Sequence, residues 1–141
     1  MAKAARRQSV AFRFDRSVVD HLKQRASDTG AAQTALAQRY IEEGLRADEH
    51  PLVYFRDGEA GRRPALLGSR LDVATVVSTI RQNDDSVEGA AEYLELPAEQ
   101  VEAALSYYAA FQDEVDRWAE RVEALAQRER ARSRDRHDAL S

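Results

Sequence analysis

The chain opens with a short segment in which apolar and polar side chains alternate. The apolar residues Val10, Phe12 and Phe14 fall on one face of a strand, because side chains alternate with a period of two. The opposite face carries Ser9, Ala11 and Arg13. A lone strand this short is unstable, and no matching strand follows within hairpin reach. The predicted partner is therefore the same strand of a second copy, paired antiparallel about a two-fold axis.

Two helix-length patterns follow this strand. Asp15-Arg16-Ser17 is expected to cap the first helix through the Asp or Ser side chain, and Gly30 is expected to end it in the left-handed conformation. The second helix is predicted from about Ala32 to Ala47, shortly before Pro51. Its apolar stripe comprises Leu36, Ala37, Tyr40, Ile41, Gly44 and Leu45.

The rest of the chain predicts a hairpin and three helices. Residues 52–55 and 65–67 are expected to form the two strands, with glycines in the turn between them. A helix is predicted at about 72–82 with Val73, Val76, Val77 and Ile80 facing inward, and another at 86–94, capped by Asp85 or Ser86. A third helix, the longest, begins at Pro97. Its apolar residues from Val101 to Leu125 alternate in steps of 3 and 4, the seam of a coiled-coil-like helix. Beyond Gln127 no apolar face remains, which predicts a fraying end and a disordered tail.

The fold class predicted from these patterns is mainly α. It comprises a basic flexible arm (1–8), a strand-helix-helix unit (9–48), a small β-hairpin/three-helix domain (51–118), and a helix extension with an Arg-rich tail (119–141).

Charge is distributed unevenly along the chain, whose net charge is −4. Residues 1–46 hold nine Lys/Arg against five Asp/Glu, whereas residues 47–118 hold six against fifteen. This asymmetry predicts a nucleic-acid-binding head on an acidic body. A two-stranded ribbon fits the major groove of DNA. The acidic middle would be repelled by phosphates, which argues against a second helix-turn-helix reader in its short helices.

Composition restricts the remaining functions. No cysteine is present, so disulfides and thiolate metal sites are excluded. No apolar run is long enough to span a bilayer and no signal peptide is evident, so a cytoplasmic protein without a membrane partner is expected. His21, His50 and His137 lie in unrelated segments, and no catalytic or phosphate-binding motif is found. We therefore expect no enzyme, no metal and no cofactor.

Residues 9–46 resemble the ribbon-helix-helix family of DNA-binding regulators (Arc/CopG/MetJ type). The strand 10–14, the helix start 15–19, the turn 28–30 and the stretch 40–45 carry the resemblance. It implies an obligate dimer that reads bases from the exposed face of the ribbon and holds phosphate at the second helix. The implied DNA-binding residues are Lys3, Arg6, Arg7, Ser9, Ala11, Arg13, Gln33 and Thr34. The implied dimer core consists of Val10, Phe12, Phe14, Leu36, Tyr40 and Ile41.

Residues 51–118 resemble a small helical domain of unknown function found in bacterial antitoxins of the VapB type. The resemblance lies in the segments 55–58, 61–63, 71–73, 86–88, 96–101 and 104–108, in that order. Such proteins neutralise a co-encoded toxin, often a PIN-like ribonuclease, and repress their own operon. Pro97 departs from the family, which has a hydroxyl residue capping the last helix.

The C-terminal stretch is the predicted partner-binding surface, because the second half of the seam has little left in the chain to pack against. Its members are Val115, Trp118, Val122, Leu125, Arg128, Arg130, Arg132 and Arg134. The arginines are either solvated or, in the sharper hypothesis, one of them enters the acidic site of a nuclease toxin.

The sequence thus predicts an antitoxin that binds operator DNA as a homodimer and binds a toxin through its C-terminal region. One alternative is a stand-alone ribbon-helix-helix regulator whose acidic domain senses a ligand or oligomerises. Another is a protein–protein adaptor with an incidental basic arm.

Overall fold

A computed structural model describes residues 6–141 of the chain. The chain forms two compact units, of which the first ends at Glu42 and the second covers Glu43–Ser141. The boundary lies within a helix, whereas the sequence patterns placed it after residue 48. Glu43 and Arg46, which follow this boundary, form ion pairs with Arg62 and Glu114 of the same unit.

The first unit contains α1 (Arg16–Thr29) and the start of α2 (Gln33–Glu49). Gly30 ends α1 with φ +71°, which confirms the left-handed glycine expected there. The side chain of Asp15 does not cap α1. Its backbone carbonyl instead accepts the N–H groups of Val18 and Val19, so the expected side-chain cap was wrong.

Residues 6–14 form neither a strand nor a helix in the single chain. The predicted ribbon requires a second copy of the chain as its hydrogen-bonding partner. The ribbon therefore stays a prediction.

The second unit opens with a hairpin of β1 (Val53–Arg56) and β2 (Arg63–Leu66). The strands pair antiparallel, with Val53 opposite Leu66, which confirms the predicted hairpin. Two helices follow, α3 (Val73–Gln82) and α4 (Val87–Leu94), close to their predicted bounds. Ser86 caps α4 as expected, because its Oγ accepts the N–H of Gly89 at 2.9 Å.

The predicted longest helix is interrupted at Phe111. The chain forms α5 (Ala98–Ala110) and α6 (Gln112–Asp138), so a single helix from Pro97 was wrong. Phe111 leaves the helical region, with φ −132° and ψ 41°. The centroid of its ring lies 4.7 Å from the centroid of the Tyr107 ring and 4.1 Å from the guanidinium carbon of Arg46. These contacts fix Phe111 at the junction of the two helices.

The break changes the environment of the apolar seam. Because α6 packs against both α3 and α5, Val115 and Trp118 are buried, and Trp118 is only 6% exposed. The expectation that they lack packing partners in the chain was therefore wrong. Val122 is exposed and Leu125 is half-buried, so only this part of the seam is open to solvent.

The helix α6 continues to Asp138, where a disordered tail had been expected after Gln127. Arg130 lies 3.1 Å from Glu123, and Arg136 lies 3.2 Å from Glu129, measured between side-chain nitrogen and oxygen. Each pair joins side chains two turns apart on one face of the helix. A polar segment without an apolar face is thus helical here.

The fold as a whole is mainly helical with one small antiparallel sheet, as predicted. The core lies in the second unit, where α3 and α5 contribute most of the buried apolar side chains. The four apolar residues of α3 predicted to point inward are all buried: Val73, Val76, Val77 and Ile80. Among the described residues, no helix has the length and apolar character needed to cross a membrane.

Candidate nucleic-acid interface

The segment before α1 exposes three apolar side chains. Val10, Phe12 and Phe14 are 62%, 65% and 55% exposed. The ring centroids of Phe12 and Phe14 lie 5.9 Å apart, with an angle of 42° between the ring planes. The two rings therefore lie close together, as the alternation of side chains implies. Exposed apolar surfaces of this kind mark sites of interaction, and a partner is needed to bury this one.

The polar side chains of the same segment are open to solvent. Ser9, Ala11 and Arg13 are all exposed, and so are Arg6 and Arg7. Arg13 has no ion pair or side-chain hydrogen bond with any residue from 6 to 141, so its guanidinium is available to a ligand. A guanidinium can bind guanine through two parallel hydrogen bonds. Lys3, the remaining member of the predicted basic arm, lies outside the described residues.

The phosphate contact was predicted at the N-terminus of α2. Gln33 and Thr34 occupy its first turn, are exposed, and have no acidic neighbour in that turn. The unpaired N–H groups and the dipole at the start of a helix favour an anion. The arrangement is compatible with the predicted contact through backbone amides.

The first unit has an apolar groove and little core. Its helical residues bury only Ala26 and Leu36. A concave surface of about 400 Å³ is lined mainly by apolar side chains, including those of Phe14, Leu22 and Ile41. Of the predicted dimer core, Leu36 is already buried within this unit, whereas Tyr40 and Ile41 are exposed.

Tyr40 lies at this groove beside a guanidinium. A hydrogen bond with Arg25 lowers the pKa of Tyr40, and Tyr40 raises the pKa of Arg25 in turn. The guanidinium of Arg39 lies 5.3 Å from the centroid of the Tyr40 ring. The groove therefore combines apolar walls with cationic edges.

Several arginines of the second unit are engaged in internal contacts. Arg46 donates to both carboxylate oxygens of Glu114 at 2.6 and 2.9 Å, and to the Tyr107 hydroxyl at 3.1 Å. These contacts raise the pKa of Arg46, while burial raises the pKa of Tyr107. Arg62 binds Glu43 through two hydrogen bonds of 2.7 and 2.9 Å. These side chains stabilise the unit and do not form a basic surface.

Another ion-pair cluster joins the two strands to α3. Arg56 and Arg63 both donate to the Oδ1 atom of Asp72, at 3.1 and 2.9 Å. Asp72 is largely buried, and its carboxylate is shared between the two guanidinium groups. The cluster fixes the hairpin against the start of α3.

The predicted partner surface is only partly available. A concave surface of about 590 Å³ lies between the hairpin turn and α6, and Trp118, Val122 and Leu125 line it. The side chain of Arg130 is paired with Glu123. Of the four arginines predicted for this surface, the other three, Arg128, Arg132 and Arg134, have no side-chain partner among residues 6–141. Sequence patterns did not reveal the turn 58–60 as a wall of this surface, because it follows from the packing of the hairpin.

The His50 ring lies among aromatic side chains. The His50 ring contacts the rings of Tyr107 and Phe111 edge-on, at 5.2 and 5.9 Å between centroids. Within the described part of the chain, no three His, Asp or Glu side chains are grouped closely enough to hold a metal ion.

Comparison with known proteins adds one finding. Residues 56–108, which run from the end of β1 into α5, match the family described as Protein of unknown function (DUF433). No curated protein and no solved structure matches the chain. The matched segment lies within the predicted domain 51–118, and the description of the family assigns no activity to it. Over residues 56–108 the chain is therefore similar to a protein family of unknown function.

Proposed function

We propose that the protein is a dimeric DNA-binding regulator that acts as the antitoxin of a toxin–antitoxin pair. The observation that carries the DNA-binding part is the exposed apolar face of Val10, Phe12 and Phe14, next to a unit with almost no core. A second copy would cover this face by pairing the two segments as a ribbon. The dimer would then have a two-fold axis, as most homodimers do.

The proposed ribbon would present Ser9, Ala11 and Arg13 to the major groove. Arg13 is the base-reading residue of the three, because a guanidinium discriminates guanine by about 1–3 kcal/mol. Ala11 offers only a methyl contact and Ser9 a tolerant hydrogen bond. The α2 N-terminus at Gln33 and Thr34 would hold phosphate.

The toxin-binding part of the proposal rests on the resemblance of residues 51–118 to antitoxin domains. The exposed side of α6 is the proposed contact surface, because Val122 and Leu125 adjoin arginines that lack side-chain partners among the described residues. Exposed guanidinium groups next to an apolar surface suit a protein partner that bears carboxylates.

Two measurements test the proposal. Binding of operator and random duplexes should weaken steeply with rising salt, because lysines and arginines displace counterions from phosphates. An Arg13→Ala variant should lose its preference for operator, whereas Arg117→Ala, an exposed arginine of α6, should retain it. Equal loss on both duplexes would show that Arg13 contacts only phosphate.

The antitoxin role is tested by expressing the tagged protein from its native operon and identifying any bound protein by mass. A stoichiometric nuclease encoded in the same operon is expected. A homodimer without a companion would contradict the antitoxin role and leave a free-standing regulator.

A further inference from the structure

The surface between the hairpin turn and α6 has the features of a binding groove. It has a volume of about 590 Å³, within the range of protein pockets that hold ligands. The turn 58–60 forms one wall, and Val122 and Leu125 of α6 form the other. Arg121 holds the turn against the helix, because its Nε donates to the carbonyl oxygen of Ala60 at 3.2 Å. The groove is therefore formed by the packed chain itself.

Trp118 lines this groove and carries a donor without an acceptor. Its side chain is more than nine-tenths buried, and its Nε1 has no hydrogen-bond partner in the described chain. The guanidinium of Arg63 lies 5.5 Å from the centroid of its ring. Trp118 is the only tryptophan in the protein, so its fluorescence reports on this groove alone.

Beyond the groove, the face of α6 that lines it carries a positive charge. Arg132 lies seven residues after Leu125 and thus on the same face of α6, whereas Arg134 lies on the opposite face. Both arginines are exposed and have no side-chain partner among residues 6–141. Glu59 and Glu129 line the groove itself, and Arg136 pairs with the carboxylate of Glu129 at 3.2 Å. The groove therefore opens onto a free guanidinium.

We propose that this groove binds an amphipathic helix of a partner protein, with apolar side chains seated against Val122 and Leu125 and an acidic flank against Arg132. An apolar helix face seated in an apolar groove is a recurrent mode of peptide recognition. The apolar walls suit a protein better than a phosphate backbone. The inference rests on the proposed function in one respect only, namely that the partner is the co-encoded protein.

The test is a fluorescence titration of the full-length protein with two synthetic helical peptides. Both carry leucines at helical spacing on one face, and they differ only in having glutamates or lysines along one flank. The glutamate peptide should change Trp118 emission saturably and bind about fivefold tighter than the lysine peptide, the effect of a strong exposed ion pair. Arg132→Glu should remove this preference, and the matched variant Arg134→Glu should keep it.

Several results would contradict the proposed binding of a helix. Emission that neither peptide changes, or equal affinity for the two peptides, would overturn the inference. A change of Trp118 emission produced by duplex DNA and abolished by Arg132→Glu would assign the surface to nucleic acid instead. Val122→Glu, at a position already exposed, provides a second variant that should lose binding while far-UV circular dichroism shows the helices intact. Operator affinity measured on the same variants separates failure of the groove from failure of the proposed DNA binding.

Discussion

The dimer proposed for the first unit makes the truncation Phe12→Ala informative. Phe12 is 65% exposed in the single chain and contacts the neighbouring ring of Phe14. Full burial of a phenylalanine side chain contributes about 1.5–3 kcal/mol. With 65% of that surface still to be buried, each copy contributes about 1–2 kcal/mol to association and the pair about 2–4 kcal/mol.

This free energy converts directly into affinity. Each 1.4 kcal/mol changes the dissociation constant tenfold, so Phe12→Ala should raise the Kd of the dimer roughly 30- to 700-fold. Sedimentation equilibrium over a concentration series measures the constant. The matched control is Tyr93→Ala, since Tyr93 is an aromatic residue of α4 that is 73% exposed and lies outside the proposed interface.

Two results would refute the reasoning. A Phe12→Ala protein with the Kd of the natural sequence would show that this face is not buried between copies. An equal loss in Tyr93→Ala would show that association depends on general surface apolarity. Circular dichroism of each variant checks that helix content is unchanged.

Three further predictions concern single side chains. Arg13→Ala should weaken operator binding about 10- to 100-fold in a gel-shift titration, with a smaller loss on random duplex; an unchanged operator preference would contradict base reading. Arg46→Gln should lower the free energy of unfolding by about 1–3 kcal/mol in urea, because Glu114 and Tyr107 lose a charged donor; the control Arg117→Gln should change it by less than about 0.5 kcal/mol. Burial raises the pKa of Tyr107, so in the unfolded chain this tyrosine ionises at a lower pH, near pH 10, than in the folded protein. The free energy of unfolding should therefore fall as the pH rises above about 10. Urea unfolding of Tyr107→Phe at pH 8 and pH 11 should show a smaller fall than the natural sequence, and an identical fall would contradict this.

The hairpin and the two helices after it could be predicted from the sequence because their signals are local. Apolar residues at helical spacing predicted the buried face of α3, and Ser86 predicted the start of α4. The break at Phe111 could not be predicted in this way, because the spacing of 3 and 4 continues through it. The break coincides with a contact to Arg46, which is distant in sequence.

The availability of charged residues also depends on tertiary structure. The sequence shows how many arginines the middle of the chain contains, but not that Arg46, Arg62 and Arg63 are held by carboxylates. The environment of Trp118 likewise depends on tertiary structure. The spacing of apolar residues predicted it on a partner surface, but packing within the chain buries it. Arg13 is exposed, but so is every other residue from 6 to 18, so the alternation of faces in this segment stays a prediction.

Charge, more than geometry, decides where DNA contacts should be sought. The helices α4 and α5 are joined by three residues, of which Glu95 has φ +56°, a connection like that of helix-turn-helix motifs. Yet no lysine, arginine or histidine occurs from Gln82 to Asp116. Nine carboxylates of this region are exposed: Asp84, Asp85, Glu88, Glu92, Glu95, Glu99, Glu102, Asp113 and Glu114. A phosphate backbone approaching such a surface is repelled. A helix-turn-helix-like connection here therefore does not indicate a DNA reader, and the first unit, with the exposed Arg6, Arg7 and Arg13, is the better candidate.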